Sequence, residues 1–467
     1  MRFVLAVILV LVSTATFAQS GRNPAPDVTA TSTPEQTVKQ MYEEASSYVK
    51  TKAAEYDAKK VPYSDKLLED MRQEQRALAA RYAAAAELRK DLSPDDRYYI
   101  GMLHWIAVNL DGTVENLEKF LASTDIDPAR AQTARYTAAV TLAKQGKTDA
   151  AEKMLAEYLG KTPAKASEEW RINVELAKAY DAKGDAARMA PFAQKALNAS
   201  VMLIKEPQTS LTLDHVLDVG MLAFRAYSVL EQRDKAEAAL DTLKAVAIDK
   251  ASPSLYFYAI DHKIRYLIDT GRKEQATELY RTSLVDLTRD LKDKSKQADA
   301  ERRFKERDTA YRLLGGPFIE LPEMLWMSGD TRSLASMKGK VVLLDFWAMW
   351  CLPCVEALPE LRLWHDEFKD QGLEILGLTR YYGSHYGYPA DKAAELGLIR
   401  SFTAQRKLPY DIVVSDGQQA QILYGAMLLP TAVLIDRKGI IRYVATGTNP
   451  SRMSEIREMI IKLLAEK

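Results

Sequence analysis

Two textures divide the chain. From Pro34 to about residue 312, apolar positions recur at helical spacing, Ala dominates, and Pro and Gly are rare inside segments. This is the pattern of amphipathic helices, and no convincing alternating strand interrupts it. Gly315-Gly316-Pro317 then breaks a helix and marks a domain boundary. Beyond it, KVVLLDFWA (340–348) is a continuous apolar run of buried-strand length. A helix follows from the CLPC segment, ended by Gly372, and LEILGLTR (373–380) is a second buried strand. ADKAAELGLIRSFTAQRK is helical and YDIVVSD is a short strand. PTAVLIDRKGIIRYVA reads as a hairpin turning at Arg437-Lys438-Gly439, and SRMSEIREMIIKLLAEK closes as a helix. Strands alternating with helices, then a hairpin and a helix, predict an α/β sheet with helices on both faces.

The helical part is repetitive. LDGTVENLEKFLA, KQGKTDAAEKMLAEYL, AKGDAARMAPFAQKAL, LEQRDKAEAALDTLKAV and DTGRKEQATELYRTSL each set a short polar turn before an Ala-centred helix. The turn glycines Gly112, Gly146, Gly184 and Gly271 lie 34, 38 and 87 residues apart, the last gap holding a fifth, Gly-less turn near Gln232. Such a period is that of stacked helix pairs, and the pattern resembles degenerate tetratricopeptide-type repeats. A solenoid of this kind presents a concave face suited to a protein or peptide partner. Residues 288–312 are charged on nearly every side and read as a solvated connecting helix.

At 467 residues the chain exceeds one ordinary core, so the reading is multidomain. Lys+Arg and Asp+Glu are both 64, which leaves no net field to draw nucleic acid. At the N-terminus, Arg2 precedes an apolar run from Phe3 to Val12, and Thr16-Phe17-Ala18 offers small residues at the positions a signal peptidase reads. Residues 1–18 are therefore expected to be a secretory signal and 19–33 a polar linker, with an uncleaved anchor as the alternative. The all-α domain is placed at 34–312 and the α/β domain at 315–467.

Export makes the cysteines informative. The chain has two, Cys351 and Cys354, both within DFWAMWCLPC. A bridge across two residues closes almost no loop, so it adds little stability, and chemistry explains the pair better. Cys351 follows a strand and opens a helix, where free backbone N–H groups and the helix dipole lower a thiol pKa. It is the candidate nucleophile. Cys354, one turn on, can resolve a mixed disulfide. Leu352 adds an uncharged apolar flank, and Pro353 suits a first turn that needs no N–H. Asp345 is a carboxyl in an apolar strand, expected to have a raised pKa and to take the Cys354 proton. Pro430 begins a strand after Leu428-Leu429, a place for a special bond; a cis peptide there would turn the Leu429 backbone outward towards an extended peptide.

These residues carry a resemblance. DFWAMWCLPC is similar to the active-site segment of thioredoxin, and LASMKGKVVLLDFWAMWCLPCVEALPEL resembles the secreted thiol-disulfide oxidoreductases of the TlpA and ResA kind. LLPTAVLIDRKGII matches their cis-proline strand and hairpin. The resemblance covers about 315–467. It implies a thioredoxin-like fold, with Cys351 attacking, Cys354 resolving, Pro430 as the cis-proline, and Trp347 and Trp350 as the flanking tryptophans. Trp350, Leu429 and Pro430 would meet the substrate. Three departures stand out. The ResA-like branch usually has Asn at the Asp345 position, and it has Glu where this chain has Ala357, with Glu356 on another helix face. Leu429 is also bulkier than the usual Thr or Val.

A zinc site would need four ligands, and the five histidines form no pair with ligand spacing beside the CxxC, so no metal is expected. His365 reads as a packed or surface residue. A peroxiredoxin-type peroxidase would need Thr where Ala348 stands. RYYGSHYGYP (380–389) is an aromatic loop, either a lip over the site or a self-packed insertion. The expected function is exported thiol–disulfide exchange, in the reductase direction, on protein dithiols and disulfides. The paired cysteines are its only redox cofactor and a membrane donor supplies electrons. The alternative is a helical scaffold or receptor whose CxxC senses redox state.

Overall fold

The computed structural model describes residues 36–385, 388–448 and 450–466, so the expected signal and linker lie outside the described residues. The described residues form two units, one within 36–145 with 160–163 and one within 146–159 with 164–466.

The first unit contains α1 (Val38–Ala58), α2 (Asp65–Glu87), α3 (Pro94–Ile106), α4 (Leu110–Leu121) and α5 (Pro128–Lys144). Its starts are written locally. The Ser93 hydroxyl accepts from Asp96 N and the Asp127 carboxylate from Arg130 N, and each is followed by a proline that needs no N–H partner. Gly112 is not a turn residue as the repeat pattern suggested. It sits in the first turn of α4, and a Cβ there would lie 2.7 Å from the His104 ring. The glycine makes room for that ring, and the turn before α4 uses Val108 at φ 60° instead.

The second unit opens with α6 (Thr148–Leu159), α7 (Ala166–Ala182), α8 (Ala186–Leu203), α9 (Leu213–Val229) and α10 (Arg233–Asp249). It continues with α11 (Pro253–Asp269), α12 (Lys273–Asp290) and α13 (Lys294–Leu313). From α6 to α13 each helix packs on its neighbour in sequence, with α7 also touching α9 and α11 touching α13. Gly146, Gly184 and Gly271 take left-handed φ of 71°, 69° and 79° in the turns, a backbone that L side chains adopt at a cost. The charged segment 288–312 is no solvated connector. It breaks after Asp290, and α13 buries Ala300, Phe304, Ala310 and Tyr311. Local composition hid this, because one narrow apolar stripe suffices when the partner helices are already in place.

The same unit carries a six-stranded sheet in the order β1-β6-β3-β2-β7-β8. Its strands are β1 (Leu325–Trp326), β2 (Val341–Phe346), β3 (Leu373–Arg380), β6 (Asp411–Ser415), β7 (Thr431–Ile435) and β8 (Ile441–Thr446). A two-residue pair, β4 (Ser384–His385) with β5 (Tyr388–Pro389), stands apart. β2 runs parallel to β3 and antiparallel to β7. The helices are α14 (Leu352–Phe368), α15 (Lys392–Arg406), α16 (Gln419–Tyr424) and α17 (Pro450–Ala465). Alternation along β2 points Leu343 towards α14 and α17, whose Leu361, Trp364 and Ile456 join its core. Phe346 points the other way and meets the Tyr424 ring of α16 at 5.8 Å. Helices thus cover both faces. The hairpin turns where the sequence indicated: the Asp436 carboxylate accepts from Lys438 N and Ile440 N, with Gly439 at φ 83°.

Candidate active site

β2 ends at Phe346 and the chain turns at once into α14, with Cys351 as its N-cap. The Cys351 sulfur accepts from Cys354 N at 3.3 Å, and the two cysteines are disulfide-bonded. Both are buried. Pro353 lies in the first turn, and Leu352 beside it is exposed. Cys351 therefore stands where the N–H groups of α14 would stabilise a thiolate once the bridge is reduced.

Asp345 is in the β2 position paired with Gly377 of β3 and Ala432 of β7. It is 6% exposed, and burial pushes its carboxyl up to about 7. No cation or hydrogen-bond donor among the described residues holds it. Gly377 is required by its surroundings, since a Cβ would come 2.6 Å from Ile412 and 3.1 Å from the Trp347 indole nitrogen. The buried Trp347 ring, crossing here, stacks on Phe402 of α15 with centroids 5.6 Å apart. Tyr410 is buried close by; burial, and then the Asp345 charge, push its phenol far up.

The Leu429–Pro430 peptide bond is cis and Pro430 is buried. The Pro430 carbonyl accepts from Gly447 N at 2.9 Å, and Thr448 reaches the Pro353 carbonyl at 3.3 Å, which ties the end of β8 to the start of α14. Among the described residues, nothing takes up the Leu429 N–H or C=O. A cavity of about 20 Å³ lies between Asp345, Trp364, Ala357, Pro430 and Thr448. That is room for about one water molecule. Glu356 is exposed and Ala357 lines the cavity, so Asp345 is the carboxyl that faces the proline.

Trp350 is half exposed, with its ring against Tyr382. The structure thus brings Cys351, Cys354, Asp345, Trp350 and Pro430 to one end of the sheet, with Leu352 and Leu429 on the rim. Tyr410, Trp364 and Thr448 were missed from sequence; each comes from a different element than Asp345, and no spacing rule links them to it. His365 is half-buried, next to Tyr410 with ring centroids 6.3 Å apart. Among the described residues, no three His, Cys, Asp or Glu gather in a metal-binding group.

Residues 317–444 match the AhpC/TSA family. The chain is 31% identical over 129 residues to the thioredoxin-like protein YneN of Bacillus subtilis, covering 28% of this chain and 69% of that protein. The chain belongs to the thioredoxin-like proteins. The thioredoxin-like domain is also 30% identical over 129 residues to the thiol-disulfide oxidoreductase ResA of Halalkalibacterium halodurans, 28% of this chain and 66% of the relative. With ResA of Bacillus thuringiensis it shares 31% over 113 residues, and there the chain spans only 58% of the relative's length. A solved structure of a putative thiol:disulfide interchange protein DsbE from Chlorobium tepidum is similar at 24% identity and a TM-score of 0.27, covering 32% of this chain and 99% of that one. The helical region lies outside the family match.

Proposed function

We propose that the protein is an exported thiol–disulfide oxidoreductase that reduces protein disulfides. The observation that carries this reading is the meeting of a helix-capping Cys351, a Cys354 behind it, an uncompensated Asp345 and a cis Pro430 at one end of the sheet.

In the reduced protein the Cys351 thiolate attacks one sulfur of a substrate disulfide. A Cys351–substrate disulfide forms, and the other substrate sulfur leaves as a thiolate that takes a proton. Cys354 then loses its proton to the Asp345 carboxylate, directly or through one water in the cavity, and attacks the Cys351 sulfur. The mixed disulfide breaks, the second substrate thiol leaves, and the Cys351–Cys354 bridge is restored. Two electrons have passed to the substrate, so a dithiol donor must reduce the bridge before the next cycle. A carboxyl near 7 accepts a proton at neutral pH and hands it on, which a carboxyl near 4 does poorly. The free Leu429 backbone pairs with an extended substrate segment beside the disulfide.

Export rests on the N-terminal pattern. A membrane dithiol is the donor that an exported reductase needs, and the helical region holds the donor or the substrate protein. No described helix is long and apolar enough to cross a membrane. The test is capture with a Cys354→Ser variant. It should accumulate mixed disulfides through Cys351, all released by dithiothreitol, and a Cys351→Ser variant should form none. Absence of adducts from the Cys354→Ser variant would contradict the reading. A reduction potential of roughly −270 mV would fix the reductase direction, and one of roughly −120 mV would reverse it.

A further inference from the structure

The catalytic groups leave unused a stack of side chains at the rim. The Arg380 guanidinium lies 4.0 Å from the Tyr382 ring centroid. That ring meets Trp350 edge-on, with centroids 5.2 Å apart and an interplanar angle of 85°. Trp350 immediately precedes Cys351 and is 49% exposed. The base of the stack is built in. Glu395 of α15, 1% exposed, accepts from Tyr382 N at 2.8 Å and Gly383 N at 3.0 Å. Arg380 donates to the Gln421 side chain at 3.0 Å and to the Tyr381 carbonyl at 3.2 Å. The Gln421 carbonyl in turn accepts from Ala426 N at 2.8 Å, and Ala426 leads into Met427, Leu428 and Leu429 before the cis Pro430. One run of contacts therefore joins the residue before Cys351 to the segment before Pro430. Its outward side chains, with Leu352, are apolar: Trp350, Leu352, Met427 and Leu428 are each about half exposed or more. A row of exposed large apolar groups beside a disulfide is unlike ordinary surface.

We propose that Tyr382 and Arg380 are positioning residues for Trp350, and that the wall they hold selects substrate segments with an aromatic or large aliphatic side chain next to the reacting cysteine. The selection rests on the oxidoreductase reading above. An edge-on ring contact prefers one orientation, and the flat guanidinium stacked behind Tyr382 fixes that ring as a lysine would not. A bulky apolar neighbour of the substrate cysteine then removes area from water against Trp350, which a Ser or Asp neighbour does not.

The test uses the full-length protein and two peptides, each with one cysteine in mixed disulfide with glutathione, flanked by Leu and Phe or by Ser and Asp. Wild type should favour the Leu/Phe peptide by about tenfold in kcat/KM, with the difference in KM. Tyr382→Ala should remove most of that preference through KM while kcat stays within about twofold, and Tyr382→Phe should keep it. Arg380→Lys, which retains the charge, should give an intermediate KM and supplies the same readout if Tyr382→Ala does not fold. A Tyr382→Ala protein that keeps the preference overturns the proposal, as does a loss of kcat on both peptides shared by Tyr382→Phe. Equal reduction of both peptides by wild type overturns the selection alone, whereas reduction of neither overturns the oxidoreductase reading as well.

Discussion

Asp345 and Asp261 are each 6% exposed, and burial leads them to opposite ends. Asp345 sits among apolar side chains, and burial alone lifts its carboxyl to about 7. Asp261, on α11, feels the same burial, yet Arg307 and Arg265 outweigh it and hold the carboxyl well below the usual carboxylate range. Arg265 approaches at 3.1 Å, Arg307 at 3.2 Å, and the Tyr311 hydroxyl donates at 2.7 Å. The same arginines reach the sheet. Arg307 donates to the Val444 carbonyl of β8 at 3.0 Å, and Arg265 pairs with Glu455 of α17 at 3.4 Å. One carboxyl is left free to move a proton at neutral pH; the other is a permanent anion that ties α11 and α13 to the thioredoxin-like domain. What separates the two carboxyls is the supply of cations, not the depth of burial.

The contrast is most sharply broken by removing the clamp. Asp261→Ala leaves two buried arginines short of a partner and should cost about 3–5 kcal/mol of stability, read by denaturant unfolding. The disulfide-reduction rate of the folded fraction should not change. An unfolding midpoint equal to wild type would mean the clamp is ornamental.

Asp345→Asn should do the reverse. Reduction at pH 7 should fall by roughly 10²-fold, and the rise of rate through pH 7 should vanish. Stability at pH 8 should increase by a few kcal/mol, because the variant no longer buries an uncompensated charge. A variant as fast as wild type across the pH range would remove Asp345 from the mechanism.

The two carboxyls also give opposite slopes of stability with pH. Asp345 has a raised folded pKa, so its contribution is fully present below about 4 and is lost as pH rises through 7. Asp261 has a depressed folded pKa, so its contribution is present above about 4 and is lost as pH falls further. Unfolding of the oxidised protein across pH should show both limbs, with only the one between about 4 and 7 erased by Asp345→Asn. The smallest effect belongs to the outer edge of the same contact. Lys462 pairs with Asp269 but is 47% exposed, so Lys462→Met should cost less than about 1 kcal/mol, and less still in high salt.

The thioredoxin-like domain was legible because its signals are local. An apolar run, a CxPC helix start, a proline opening a strand and a three-residue hairpin turn are each read within a few positions. Asp345 was legible as an anomaly, a carboxyl inside that run. The clamp was not, because it joins α13 to Asp261 across 46 residues and to Val444 across 137. For the same reason α13 read as a solvated helix, and Arg307 as one charge among many. Gly112 misled in the other direction: it fitted the turn spacing by chance while serving the His104 ring. The aromatic loop was seen from composition, but its base, a buried Glu395 capping two backbone N–H groups, comes from another element.

The most direct test of the account is turnover. Catalytic amounts of the full-length protein, with a dithiol donor in excess, should reduce many equivalents of a protein disulfide, and Cys351→Ser should reduce none. Reduction of no more than one equivalent of disulfide per chain, however much donor is supplied, would contradict a catalyst and leave the CxxC as a redox sensor on a helical scaffold.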